Sequence, residues 1–479
     1  MERLVFNKEE AVKVIYLESG QIKDYPELTF YKDVFKADYL ETLLVASKEK
    51  KVLFVGWGEE SLTDKNTLME LGAKACKILL EKDIDRFCID LRDMDFGVDY
   101  HLFYSWVKGI YLGSRKGKSY KSDQKEQNPK ISLLVNAKDI DSLKKYEQEA
   151  FHITDAIFFA RDMVNMPSNY LYPESFISYI KDFCKDMDLE IEVLNQKDME
   201  EKRMGGILTV GASSAKAPYL CVIRYKGAPK EREVFGLVGK GVTVDTGGYD
   251  LKPSSYMAGI RGDMGGAAAV IGAIRSLAVE KKKVNAIAIL PLCENRIAPG
   301  SYLQGDVITS YSGKTIEVRN TDAEGRIILA DALSYAITDE KVTKVLDIAT
   351  LTGAVVGMFG FTIGGVMSNS EKMWKSYEEA SCIAGEKHWR IPYGKEHEKM
   401  IESKVADIKN VGESVCGTIT AGLFIKSFAK DLPWIHVDIA GTAWVDSPIY
   451  AYQEAFATGV CVDTIYQWLK NSEDDCGNS

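Results

Sequence analysis

Short apolar runs recur along this chain, each followed by a stretch whose apolar residues return at helical spacing. That alternation confines the fold to the α/β class, because strands and helices taken in turn build sheets covered by helices. Lys51–Gly56 reads as a strand, Leu68, Leu71, Ala75 and Leu79 share one helical face, and Arg86–Leu91 and Ile131–Val135 read as further strands. A long helical pattern from Ile140 to Val164 is stopped by Asn165–Pro173, where Pro167 and Pro173 act as breakers and mark a connector between domains. The alternation then resumes, with strands expected at Tyr219–Tyr225, Glu233–Gly239, Val284–Leu292, Lys344–Thr350 and Trp434–Ala440. Helices are expected at Gly265–Lys281, Ile327–Ile337, Thr418–Lys430 and Phe456–Leu469. At 479 residues the chain has room for two or three domains.

Charge and the scarce residue types narrow the chemistry. With 60 Lys and Arg against 70 Asp and Glu, the net charge of -10 argues against an obligate polyanion binder. The run Ser114–Lys130 carries several lysines, but acidic residues interrupt it and it reads as an exposed loop. Only 5 His and 9 Cys are present, with no Cys-x-x-Cys pair, so a histidine-rich zinc site or a disulfide framework has little material. The scattered cysteines read as buried free thiols in a reducing cytosol. Any metal would have to be held by carboxylates. The N-terminus is acidic and lacks the apolar core of a signal peptide. The uncharged stretch 348–367 is long enough to cross a bilayer, but five glycines and three threonines dilute it. A strand followed by a glycine-rich turn is expected there, with no membrane span.

Two islands place acidic residues among glycines instead of on a solvated helix face. The first is Val238–Pro253 (VGKGVTVDTGGYDLKP), continued by Arg261–Gly266; the second is Val318–Ile328 (VRNTDAEGRII). Each borders an expected strand and leads towards a helix, the place where active-site loops gather in open α/β sheets. Asp245, Asp263, Asp322 and Glu324 could form an oxygen cage. Unneutralised, four such carboxylates would repel, so divalent cations are their natural partners. Two metals about 3.5–4 Å apart suit this many anionic ligands better than one. Lys240 and Lys252 bracket Asp245, and a lysine beside metal ions can ligate as a neutral amine or polarise a substrate. Asp and Gly are also the default turn formers, so the islands alone leave a turn-and-cap role open. No Gly-x-Ser-x-Gly, His-Glu-x-x-His or phosphate-loop motif is present.

The segment Asn320–Leu333 (NTDAEGRIILADAL) resembles the signature of the leucyl, or cytosol, aminopeptidases. Supporting blocks follow in the family's order: Val238–Pro253, Asp263–Ala268, Cys293–Asn295, Ala349–Ala354 and His436–Gly441, with Asn165–Pro173 also similar. The resemblance is strong from about Asn165 onwards and only architectural before it. It implies a smaller N-terminal α/β domain, 1–150, that serves oligomerisation. A connecting helix and linker, 151–172, would join it to a larger α/β catalytic domain, 173–479, with a mixed central sheet. It also implies a cytoplasmic homohexamer with active sites facing an interior cavity, acting on peptides with a free N-terminal amine.

By position, the resemblance makes Asp245 and Glu324 bridging ligands of two divalent ions (Zn, Mn, Mg or Co). Lys240 and Asp263 would complete one shell and Asp322 the other. Lys252 and Arg326 would be the catalytic residues outside the metal shells. A bicarbonate serving as general base would be held by Ala323, Gly325, Arg326 and Leu351. The pocket for the N-terminal side chain would be lined by Ile260, Thr350, Gly353, Ala440 and Ala443, which suits a Leu- or Met-like residue. The chain departs from the family at Val244, often Phe; at Asp250, usually Ser; and at Ile260, often Met. Within the same chemistry a cysteinylglycine dipeptidase preference remains an alternative. A DNA-binding accessory role, known for some bacterial relatives, could rest only on the Ser114–Lys130 loop. A phosphatase could also use a carboxylate-held metal pair, though nothing beyond the pair points to one. His436, in an apolar strand, reads as a hydrogen-bonded core residue, and His388 and His397 as surface residues. Trp434 and Trp444 read as core or pocket wall.

Overall fold

In the computed structural model of the protein the alternation is realised as two compact units, Met1–Asp155 with Ser447–Ala455, and Ala156–Asp446 with Phe456–Ser479. The structure describes residues 2–47, 50–58, 64–94, 100–122, 128–136 and 140–476. The chain passes from the first unit to the second within the helix Ile140–Asn165. The return of Ser447–Ala455 to the first unit is a tertiary event that no local pattern announces.

The first unit carries a six-stranded sheet in the order Val5–Phe6, Lys130–Leu134, Arg86–Asp90, Val12–Glu18, Lys51–Gly58, Thr42–Ala46. All neighbours are parallel except the edge strand Thr42–Ala46. Helices Lys65–Glu81 and Tyr100–Ser114 pack on one another, and a core of Leu68, Leu71, Leu79, Phe103, Trp106 and Ile110 lies between them and the strands. The second helix and the strand Val12–Glu18 were not expected from the sequence pattern. Of the expected loop Ser114–Lys130, Ser114 belongs to that second helix and Lys130 to a strand, residues 115–122 are irregular, and 123–127 lie outside the described residues.

The second unit is built on a nine-stranded mixed sheet. Its centre is parallel: Trp434–Asp438, Lys344–Ala349, Phe235–Gly239 and Asn285–Asn295 lie side by side. Antiparallel strands flank this centre, Ile363–Ser368 on one side and Tyr219–Lys226 on the other. Central strands such as Phe235–Gly239 and Asn285–Asn295 are buried at every residue. That is the burial pattern of a parallel sheet covered on both faces, and helices Gly265–Val279 and Glu324–Thr338 both pack on these strands. Ser254–Val279 is the one helical stretch among the described residues long and apolar enough to cross a membrane, and 78% of its apolar window is buried inside the protein.

Three expectations change. The helix expected at Phe456–Leu469 begins only at Val462, and Phe456–Ala457 instead pairs with Trp444–Val445. Gly459 and Cys461 adopt positive φ, 72° and 68°, which a continuous helix cannot accommodate. The glycine-rich segment after Ala349 holds a short helix, Gly353–Phe359, capped by the Thr352 hydroxyl and ended by Gly360 at φ 65°. His388 is buried, not on the surface, packed beside Tyr377 and Cys461, and burial pushes its pKa down to about 4.

Candidate metal centre and substrate cleft

The site stands at the carboxyl ends of the central parallel strands, where strand-to-helix loops converge. Gly241–Asp245 continues the strand Phe235–Gly239 and pairs with the end of Asn285–Asn295, so Asp245 lies opposite Asn295. Lys240 sits at the break between those two strands. Its N–H bonds Ile348 O at 3.0 Å and its carbonyl accepts from Ala267 N at 2.9 Å, at the start of a helix. After Asp245 the chain turns through Gly247 and Gly248, with φ of 87° and 62°. Beyond the favourable φ, the turn needs glycine for space. A Cβ on Gly247 would lie 2.9 Å from Asp322 Oδ1, and one on Gly248 would lie 3.0 Å from Thr321 Oγ1. The two acidic islands can therefore meet only across bare backbone.

Asp245, Asp322 and Glu324 each offer an oxygen within 4.8 Å of the others. Lys240 Nζ lies 2.7 Å from Asp263 Oδ2, 2.8 Å from Glu324 Oε1 and 3.1 Å from Thr350 O. Lys252 Nζ lies 2.8 Å from Asp245 Oδ2 and also bonds Asp322 Oδ1. Burial by itself would lower both lysine pKa values, but the surrounding carboxylates outweigh it and raise them, holding both ammonium groups charged. Two of the carboxylates are shifted upward as well, which for them favours the neutral form. Burial, reinforced by Asp245 and Glu324, pushes Asp322 up to about 7 and Asp263 well above its ordinary value. Both Glu324 oxygens and Asp263 Oδ2 are buried without a hydrogen bond of proper geometry. Buried carboxylate oxygens left so are oxygens suited to a hard cation, and these residues fit a divalent metal.

A cleft of about 450 Å³ opens over this group. Of the sequence-identified residues, Lys240, Asp245, Lys252, Ile260, Asp263, Asp322, Ala323, Arg326, Thr350, Leu351, Gly353 and Ala440 line it. Glu324 and Gly325 are buried just behind, at the first turn of the helix Glu324–Thr338. A Cβ on Gly325 would lie 2.7 Å from Lys240 Nζ, so that position must be glycine for the lysine to reach Glu324. Ala443 is buried and does not line the cleft. Trp444 does, with the Arg261 guanidinium over its ring at 5.4 Å. Burial lowers the pKa of Arg326 to about 10; its Nη1 donates to Asn410 O at 2.8 Å, and its Nε is buried without a partner.

Several residues that hold this geometry carried no role in the sequence reading. Asn295 donates from Nδ2 to Asp245 Oδ1 at 2.9 Å and to Thr321 O at 3.0 Å, linking the two islands. Asn410 is fully buried; its Oδ1 accepts from Arg319 N at 2.7 Å and its Nδ2 donates to Asn320 O at 2.7 Å. Asp438 accepts from Leu351 N, Ala440 N and the Thr352 hydroxyl at 3.1, 3.2 and 2.6 Å, shaping two segments of the cleft wall. Asp250, at the position noted above as a departure, bonds Thr321 N at 2.6 Å and Gln304 Nε2 at 2.5 Å. Asn295 and Asp438 lie within blocks already singled out as similar to the family, which was the one available signal. His436 is a core residue, its Nδ1 2.5 Å from Asp347 Oδ1, and Trp434 Nε1 donates to the same carboxylate at 2.7 Å.

The catalytic domain of the cytosol aminopeptidase family matches residues 158–466. The chain belongs to this family. A protein described as a probable cytosol aminopeptidase from Treponema denticola is 39% identical over 427 residues, 88% of this chain and 89% of its own. A second so described, from Clostridium perfringens, is 37% identical over 91% of this chain and 90% of its own. Among solved structures, the bottromycin maturation enzyme BotP superposes with a TM-score of 0.87 at 29% identity, covering 97% of this chain and 99% of its own. A structure of BotP in complex with Mn matches equally well. As a member of the cytosol aminopeptidase family, the protein is a metal-dependent aminopeptidase, a hydrolase acting on peptides.

Proposed function

We propose that this aminopeptidase removes Leu-like residues from peptide N-termini by two-metal chemistry, as a cytoplasmic homohexamer. The observation that carries the reading is the convergence of Asp245, Asp322 and Glu324 within 4.8 Å, with Asp263 and Lys240 beside them on the floor of one cleft. Asp245 and Glu324 would hold both of two divalent ions, with Asp322 completing one shell and Asp263 the other, together with Lys240 once the ion displaces its proton and leaves a neutral amine. When bound, divalent cations supply an acidified water that is nucleophilic at neutral pH, and they polarise a carbonyl. Zn, Mn, Mg and Co all suit such ligands, and availability selects among them.

The chain's own groups do the rest. Lys252 keeps its charge on Asp245 and Asp322 and faces the cleft, so its ammonium can stabilise the oxygen of the scissile carbonyl as negative charge develops. Arg326, with Ala323, Gly325 and Leu351, would hold a bicarbonate at the start of the helix; the unpartnered Nε of Arg326 and the first helical N–H groups suit a small anion. Bicarbonate bound there would supply the general base that no histidine in the cleft offers. Ile260, Ala440 and Trp444 give an apolar wall for the N-terminal side chain, with Thr350 and Gly353 beside them. The test is hydrolysis of Leu-p-nitroanilide after thorough chelation and add-back of each metal, with metal content measured per subunit. Two ions per active subunit and loss of turnover on chelation are expected. Turnover that survives chelation overturns the reading.

A further inference from the structure

We infer that Glu413 is a specificity-determining residue that favours peptides with a cationic side chain immediately after the bond to be cut. The inference rests on the aminopeptidase reading, which places the N-terminal side chain against Ile260 and Ala440. Beside its carboxylate floor the cleft is lined by two unlike sets of residues. The first, Ile260, Ala440 and Trp444, is apolar; the second comprises Val411, Glu413, Gly417 and Thr420. The second set is anchored to the reacting groups, because Asn410, next to Val411, accepts from Arg326 Nη1 at 2.8 Å and donates to Asn320 O at 2.7 Å. With the N-terminal side chain against Ile260 and Ala440 and the scissile carbonyl at Lys252, the inference assigns the departing residue to the set that carries Glu413.

The charge in that set is uncommitted. Asp245, Asp263 and Asp322, the other carboxylates lining the cleft, are each engaged by Lys240 or Lys252. Glu413 is exposed and, among the described residues, makes no hydrogen bond or ion pair. Val411 offers apolar surface to the methylenes of a lysine or arginine while the charged end reaches Glu413. The same carboxylate repels the free carboxylate of a dipeptide's second residue, so longer peptides and amides are the better substrates.

The test uses the full-length, metal-loaded enzyme and measures kcat/KM for Leu-Lys-amide and Leu-Gln-amide in competition. An exposed ion pair is worth a preference of about two- to fivefold for the lysine substrate. That ratio is expected to fall to about one in Glu413→Gln, and Glu413→Lys is expected to turn the preference towards Leu-Glu-amide. In the unaltered enzyme the ratio should also fall towards one at about 1 M salt, where screening is nearly complete. A ratio of about one in the unaltered enzyme overturns the inference, as does a ratio unchanged in Glu413→Gln. Should that variant fail to fold, a salt-independent ratio in the unaltered enzyme overturns it equally. Failure of the two-metal reading shows separately, as hydrolysis of both amides that persists after chelation.

Discussion

The two units end a parallel strand in an aspartate with opposite electrostatic outcomes. In the first, Asp90 closes the strand Arg86–Asp90 and meets Arg92 at 2.6 Å and Lys13 at 3.3 Å. Burial there opposes ionisation, but Arg92 and Lys13 outweigh it, and the carboxyl is held below its ordinary value. In the second, four carboxylates (Asp245, Asp263, Asp322 and Glu324) share two lysines, and burial pushes Asp322 and Asp263 up instead. The fold class is the same in both units. What differs is the ratio of cations to carboxylates and the depth at which they meet. A carboxylate with its own cations is a local stabiliser; a buried excess of carboxylates needs further positive charge from outside the chain.

That contrast can be broken first at Glu324. Removing a ligand from a metal-activated water forfeits several kcal/mol of transition-state stabilisation, so Glu324→Ala is expected to lower kcat/KM by on the order of 10³-fold or more. Circular dichroism should show an unchanged fold, since Lys240, which loses its 2.8 Å contact with Glu324, keeps Asp263 at 2.7 Å. A variant as active as its parent would remove Glu324 from the centre. The next effect is smaller and purely geometric. Gly325→Ala forces Lys240 aside at a contact of 2.7 Å, and a displacement of about 1 Å near the chemistry costs roughly 10²-fold in rate. Full activity in that variant would show that Lys240 need not lie where the structure places it.

The smallest effects concern stability and have opposite pH dependence in the two units. Asp331, buried in the helix Glu324–Thr338, accepts from Ile207 N at 3.0 Å and Tyr311 N at 2.7 Å, yet burial pushes it up to about 7. A folded pKa above the unfolded value means that its contribution is full below about pH 4 and is lost as pH rises towards 7. Asp331→Asn removes that loss, so its Tm should rise relative to the parent's between pH 4 and 7. Asp90 has the opposite sign. Its contribution is present at neutral pH and is lost as pH falls through its lowered pKa. Asp90→Asn should therefore cost no more than about 1 kcal/mol at neutral pH, because solvent screens a partly exposed pair, and the deficit should vanish in acid with hydrolysis unaffected. Scans of Tm against pH for both variants check the pair; slopes of the same sign would contradict the contrast.

Much of this molecule is legible in local pattern. The strands Lys51–Gly58, Asn285–Asn295 and Lys344–Ala349, the helices Lys65–Glu81 and Gly265–Val279 and the helix Ile140–Asn165 all follow from periodicity and proline breaks. The acidic islands are visible because carboxylates among glycines are unusual beside apolar strands. Other residues leave no such trace. Asn410 is bonded to the second island from about ninety positions away, and His388 looks like a surface residue in a polar segment until Tyr377 and Cys461 close over it. The helix expected at Phe456 fails because Gly459 and Cys461 take positive φ, which apolar periodicity does not register.

The sequence by itself determined the alternation of strand and helix, the carboxylate chemistry available at the strand ends and the family resemblance. Each of these depends on residues close together along the chain, whose spacing sets which way side chains point. Only the tertiary structure decided which carboxylates share a lysine, that Gly247 and Gly248 let two distant loops touch, and that Glu413 reaches the cleft with its charge free. Those outcomes depend on burial and on contacts between remote segments. A carboxylate's pKa, and hence its chemical role, is set by what surrounds it in space.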